Sequence, residues 1–225
     1  MTMLDSVFAK SLRDQRRSLV WWSLGLVLLT ASIVAFFPSV RDNADIEELV
    51  QAYPEDLMAL FGASDLTGIT SAAGFVNVEL FGFMAPLLFI IFAAGLGSGA
   101  IAGEEGRATI EILMTEPVDR GRVVLEKAGA MVAATVVLGV VLWASLTVGG
   151  VVVDMDIGPV RFAEAALTVT LLGLTFGGLA LAIGSVTGNR GLALGVSAAA
   201  AVATFVGNAL REITDIMDPA KWVSP

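Results

Sequence analysis

The chain contains no cysteine and no histidine. Their absence excludes disulfides, thiolate nucleophiles, Cys or His metal sites, Ser/His triads and any haem held by a histidine. Charge is scarce as well, with 16% of residues Asp, Glu, Lys or Arg, where a soluble domain carries roughly a quarter. The balance of that charge is -9, and the few basic residues cluster where membrane topology explains them, so nucleic acid is not an expected partner.

Long apolar runs fill the place of charge. Hydrophobic residues make up 56% of the chain and the mean hydropathy is +0.82. A hydrocarbon core roughly 30 Å thick is crossed by about 20 apolar helical residues, and in lipid the helix satisfies its own backbone hydrogen bonds. Five charge-free stretches have that length: residues 18–40, 80–102, 128–153, 165–189 and 191–210. The expected fold is all-α, a polytopic transmembrane bundle of five spans forming one domain over residues 1–225.

Orientation follows from Lys and Arg, which are in excess on cytoplasmic loops. Lys10, Arg13, Arg16, Arg17, Arg107, Arg120, Arg122, Lys127 and Arg190 fall on one side; Arg41, Arg161, Arg211 and Lys221 fall on the other. The N-terminus is therefore predicted to be cytoplasmic. The first apolar run is too long for a signal-peptide core and no cleavage pattern follows it, so it reads as a retained span, with Trp21 and Trp22 near the inner interface. Pro38 is expected to end that helix.

Residues 41–77 form a long external loop. In it Ile46, Leu49, Val50, Tyr53, Leu57, Leu60 and Phe61 recur at helical spacing, while Asp45, Glu47, Glu48, Glu55 and Asp56 mostly take other faces. This predicts an amphipathic surface helix bent near Pro54. A lid over a translocation path and a loop packed on the bundle fit it equally.

Within the spans the informative residues are small. Gly95, Gly97 and Gly99 run along the second span, Gly173 and Gly177 form GxxxG in the fourth, and Gly191 and Gly195 repeat that spacing in the fifth. Such residues let helix backbones approach closely, within one subunit or between two. Pro86 predicts a kink in the second span. No span carries an ionisable residue near its centre, so the signature of an ion-coupled carrier is missing. Uphill transport would draw its energy from outside the membrane.

Residues 103–127 are the opposite in character, with ten charges in twenty-five residues between two uncharged spans. Glu104, Arg107 and Glu111 share one helical face, and Ile110, Leu113 and Met114 the other. Pro117 disfavours helix at Glu116, and Asp119 is a candidate cap for a helix starting near Arg120 and running on into the third span. A short amphipathic helix held between two rigid spans can pass force from a soluble partner into the membrane; an ordinary solvated loop would have the same composition.

The run AGEEGRATIEILMTEPVDRGRVVLEK, residues 102–127, closely resembles the signature of ABC-2 type transporter permeases: paired acids, a Thr-x-Glu-x-Leu core, Pro-x-x-Arg, then a lysine at the third span. Tyr53-Pro54, Leu60-Phe61-Gly62, Gly74-Phe75 and the end at Trp222-Val223-Ser224-Pro225 fit the same family. The resemblance implies the membrane subunit of an ATP-binding cassette exporter in a prokaryotic plasma membrane, carrying a hydrophobic or amphipathic substrate. Its implied partners are cytoplasmic ATPase subunits, a second permease copy or sister subunit, and the lipid bilayer. It implies no catalytic site and no directly bound cofactor or metal, with ATP and Mg held by the partner; GxxxxGK[ST] is absent from this chain. Glu104, Glu105, Arg107, Thr109, Glu111, Leu113, Pro117 and Arg120, with Lys127 at the third span, would form the ATPase-docking element. The family has six spans as a rule, so either a sixth follows this sequence in a longer protein or it is absent.

Two other classes compete with that expectation. A lipid-modifying membrane enzyme would use the outer acids Glu79, Asp154, Asp156 and Glu164, which match no motif. A non-transporting scaffold would need no site at all.

Overall fold

The computed structural model describes residues 7–41, 71–102 and 120–213, and among these there is no strand. The helices are α1 (Val7–Arg41), α2 (Ala72–Val76), α3 (Met84–Ala100), α4 (Arg120–Val152), α5 (Pro159–Thr187) and α6 (Arg190–Ile213), with one π-helical turn, Asn77–Phe81, between α2 and α3. Among the described residues five stretches are long and apolar enough to cross a membrane: Val7–Arg41, Ala72–Ala100, Gly121–Val152, Pro159–Thr187 and Arg190–Asn208. The count matches the five runs in the sequence, and the protein is a multi-pass helical membrane protein.

The helices overrun the apolar runs that announce them. α1 starts at Val7 and carries the basic residues 10–17 on helical backbone. Pro38 does not end it: the helix continues to Arg41, because a proline so close to the C-terminus removes one hydrogen bond and the remaining turn survives. The second span begins at Ala72 instead of Leu80, so residues 72–77 are helix where the external loop was expected. Ser71 starts it, its hydroxyl accepting from the Gly74 N–H at 3.1 Å. Asn77 and Glu79 sit exposed on the π-helical turn and disguise the run as loop. The expected irregularity lies just before Pro86: the π-helical turn ends at Gly82-Phe83, and α3 restarts with Pro86 in its first turn. The predicted amphipathic helix around residues 45–61 lies outside the described residues.

Side-chain partners fix the topology. α1 runs parallel to α4, since the Thr30 and Ser145 hydroxyls are hydrogen-bonded at 3.0 Å while Val34 lies against Gly149 farther along. α3 runs parallel to α5, with Phe89 against Gly173 and Ala93 against Gly177. α4 turns back into α5 through residues 153–158, where Asp154 and Asp156 adopt positive φ of 50° and 53°; aspartate is among the few residues that tolerate this conformation. α6 returns antiparallel along α5, Ser197 Oγ donating to the Phe176 carbonyl at 3.1 Å. Together α3, α4 and α5 form the centre, with α1 on one flank and α6 on the other.

Packing uses small residues and aliphatic layers. Ala85, Ala93, Ala130, Ala134, Ala180 and Ala193 are fully buried, and Phe89, Leu80, Leu138, Leu142 and Leu146 fill the space between them. Lipid tails are as apolar as these side chains, so close van der Waals fit and interhelical hydrogen bonds hold the helices together. Thr30 is fully buried, and its bond to Ser145 is one such link. Replacing Thr30 with Val should lower stability by about 0.6 kcal/mol, and a double-mutant cycle with Ser145→Ala in mixed-micelle unfolding should assign most of that loss to the pair.

Candidate functional site

The termini of the helices that flank residues 103–119 are tied together by specific contacts. Lys127, which directly precedes the apolar run of α4, is 4% exposed. Its Nζ donates to the Ala100 carbonyl, at the last turn of α3, at 2.5 Å. An ammonium there complements the negative end of the α3 dipole and satisfies a carbonyl that the helix leaves without an internal donor.

Glu126 reaches the opposite way. Its Oε2 accepts from the Phe8 N–H at 3.2 Å, and its Oε1 pairs with Arg122 Nε at 2.9 Å. A carboxylate at the start of α1 sits where the helix dipole is positive and free N–H groups point out. Adjacent residues of α4 therefore hold the beginning of α1 and the end of α3.

The α5–α6 turn joins the same face. Gly188 takes φ 62°, a conformation suited to glycine, and its N–H closes α5 on the Gly184 carbonyl at 3.0 Å. Asn189 Oδ1 accepts from the Leu192 N–H at 3.0 Å and caps α6. Arg190 lies over the last turn of α3, where a side chain at Gly99 would meet its guanidinium.

Of the expected docking residues, Glu104, Glu105, Arg107, Thr109, Glu111, Leu113 and Pro117 lie outside the described residues, as does the side chain of Arg120, whose backbone opens α4. Lys127 is described at the entry to the third span, where it is buried and bonded to the end of α3. Its neighbour Glu126 was not singled out in the sequence; the available signal was a charged pair standing where the third apolar run begins.

The glycines divide by position. A Cβ on Gly177 would lie 2.9 Å from Ala93 Cβ and 3.0 Å from the Ala93 carbonyl oxygen, and one on Gly173 would lie 2.9 Å from the Phe89 carbonyl oxygen. Gly97 faces the Gly177 carbonyl just as closely. These three residues let α3 and α5 touch at backbone distance. A Cβ on Gly95 or Gly195 would have nothing within 4 Å, one on Gly99 would meet only Arg190, and one on Gly191 would meet only Asn189 beside it in the turn.

The interior between the helices carries hydroxyls and one charge. Among the described residues Thr30, Ser98, Thr135, Thr170 and Ser197 are buried, as is Lys127, and each of the five hydroxyls bonds a backbone carbonyl. Among the described residues no three His, Cys, Asp or Glu side chains gather into a metal site. Glu79 and Glu164 are exposed.

Among the described residues the helices bury no Asp or Glu side chain, and the charged segment 103–119 joins α3 to α4 in the sequence. The chain belongs to the ABC-2 family of transporter proteins, whose family model matches residues 6–222. It is thus a multi-pass permease of the ABC transporter class. No curated protein and no solved structure matches it.

Proposed function

We propose that this chain is the membrane subunit of an exporter for a hydrophobic or amphipathic substrate, driven by ATP hydrolysis in separate nucleotide-binding subunits. The family match over residues 6–222 carries the reading. ATP and Mg are held by the partner, and the chain works beside a second copy or sister permease in a prokaryotic plasma membrane, with its N-terminus and residues 103–127 on the cytoplasmic side. The exposed face of α6, with Gly195, Val196 and Val202, supports a neighbouring permease there.

The coupling path follows from the clamps. Force on residues 103–119 reaches α3 and α4 together, because Lys127 joins the end of one to the start of the other. α5 moves with α3, because Gly97, Gly173 and Gly177 leave no slack between them. α1 and α6 flank this rigid centre, and substrate leaves where the centre shifts against them or against the second permease.

The test is co-purification with the neighbouring ATPase in detergent. A Glu104→Ala, Arg107→Ala, Glu111→Ala triple variant should insert normally and lose at least about tenfold of the bound ATPase, a loss of roughly 1.4 kcal/mol. ATPase retained at the wild-type level would remove the docking role from this segment.

A further inference from the structure

A cleft of about 430 Å³ opens on the side of the bundle between α1, α3 and α4. Trp21, Trp22, Gly25 and Leu29 of α1 line it, with Leu88 opposite on α3 and Leu138 on α4. The volume falls within the roughly 300–1,000 Å³ of small-molecule sites. Its wall is apolar, and its outer edge is Trp21, which is 71% exposed. A Cβ on Gly25 would meet nothing within 4 Å, so the glycine contributes open room and not helix contact.

The helix above the cleft is basic. Lys10, Arg13, Arg16 and Arg17 are all exposed on α1, with Asp14 the one acid among them, and Arg17 precedes Trp21 by four residues, one turn up the same face. From the neighbouring α4 come Arg122 and Glu126, which pair with each other. This local excess of positive charge stands out in a chain of net charge -9. Four basic residues directly preceding a span attract anionic headgroups, and tryptophan at that depth sits at the carbonyl layer of the lipid.

We propose that the cleft is a binding site for one anionic diacyl phospholipid, its phosphate held by Arg13 and Arg17 and an acyl chain laid along Trp22, Gly25 and Leu29. Charge complementarity selects the occupant: a groove in the hydrocarbon layer with cations at its mouth fits a lipid that has an apolar tail and an anionic head. The proposed site uses no residue of the segment 103–119 and needs neither ATP nor a partner subunit to bind lipid.

The test is native mass spectrometry of the full chain from nanodiscs of equal phosphatidylglycerol and phosphatidylcholine. The wild type should retain phosphatidylglycerol with about tenfold preference. Arg13→Gln with Arg17→Gln should abolish the preference, and Gly25→Leu, whose Cβ would meet nothing within 4 Å and whose side chain would occupy the cleft, should remove the retained lipid while thermal stability holds. No preference in the wild type, a preference that survives the double Gln variant, or lipid retained by a folded Gly25→Leu protein would each overturn the proposal.

Discussion

A leucine in place of Gly177 is expected to prevent the bundle from assembling. Its Cβ alone would sit 2.9 Å from Ala93 Cβ and 3.0 Å from the Ala93 carbonyl oxygen, and the rest of the side chain has nowhere to go between two helices whose backbones already touch. Overpacking in a core commonly costs about 1–3 kcal/mol; here part of the obstacle is backbone, which cannot rotate away, so the loss should lie at or above the top of that range. The neighbouring glycine provides the control, since a Cβ on Gly178 meets nothing within 4 Å. Fluorescence-detected size exclusion should show a monodisperse peak for Gly178→Leu and its loss for Gly177→Leu. Equal behaviour of the two would mean that α3 and α5 do not pack as described.

Lys127→Met should separate docking from transport. Methionine keeps the apolar stem, ends one atom shorter and removes the donor to the Ala100 carbonyl. A buried acceptor that loses its partner costs about 1–3 kcal/mol, and α3 and α4 would no longer move as one lever. The expected result is an ATPase that still co-purifies but drives substrate movement at least about tenfold more slowly, the change that roughly 1.4 kcal/mol produces. Lys127→Arg, which restores a cation with longer reach, should recover part of the rate. Wild-type transport by Lys127→Met would show that the clamp has no part in coupling.

Length and charge made the spans legible, because the thickness of a bilayer imposes a minimum apolar run that composition alone reveals. The helix ends were not legible in the same way. Residues 7–17 and 120–127 are helical outside the apolar runs, where hydropathy carries no information, and residues 72–79 were masked by Asn77 and Glu79. The glycine spacing in the sequence carried period but not direction. It singled out Gly173 and Gly177, which lie at the α3–α5 contact, with the same weight as Gly95 and Gly195, where an added Cβ would meet no described atom within 4 Å. Neighbouring helices decide that difference, and no local pattern encodes them. The bond between Lys127 and Ala100 joins residues twenty-seven apart, so it exists only once α3 and α4 lie side by side.

The central claim is that residues 103–119 meet an ATP-hydrolysing subunit. The chain has no cysteine, so single cysteines can be introduced without altering the background. Glu105→Cys and, at the opposite end of α1, Ser39→Cys would each be expressed with the neighbouring ATP-binding cassette ATPase and treated with a short bifunctional maleimide. Cross-linking of the ATPase to Glu105→Cys and not to Ser39→Cys is the predicted result; cross-linking to neither, or to Ser39→Cys alone, would contradict the account.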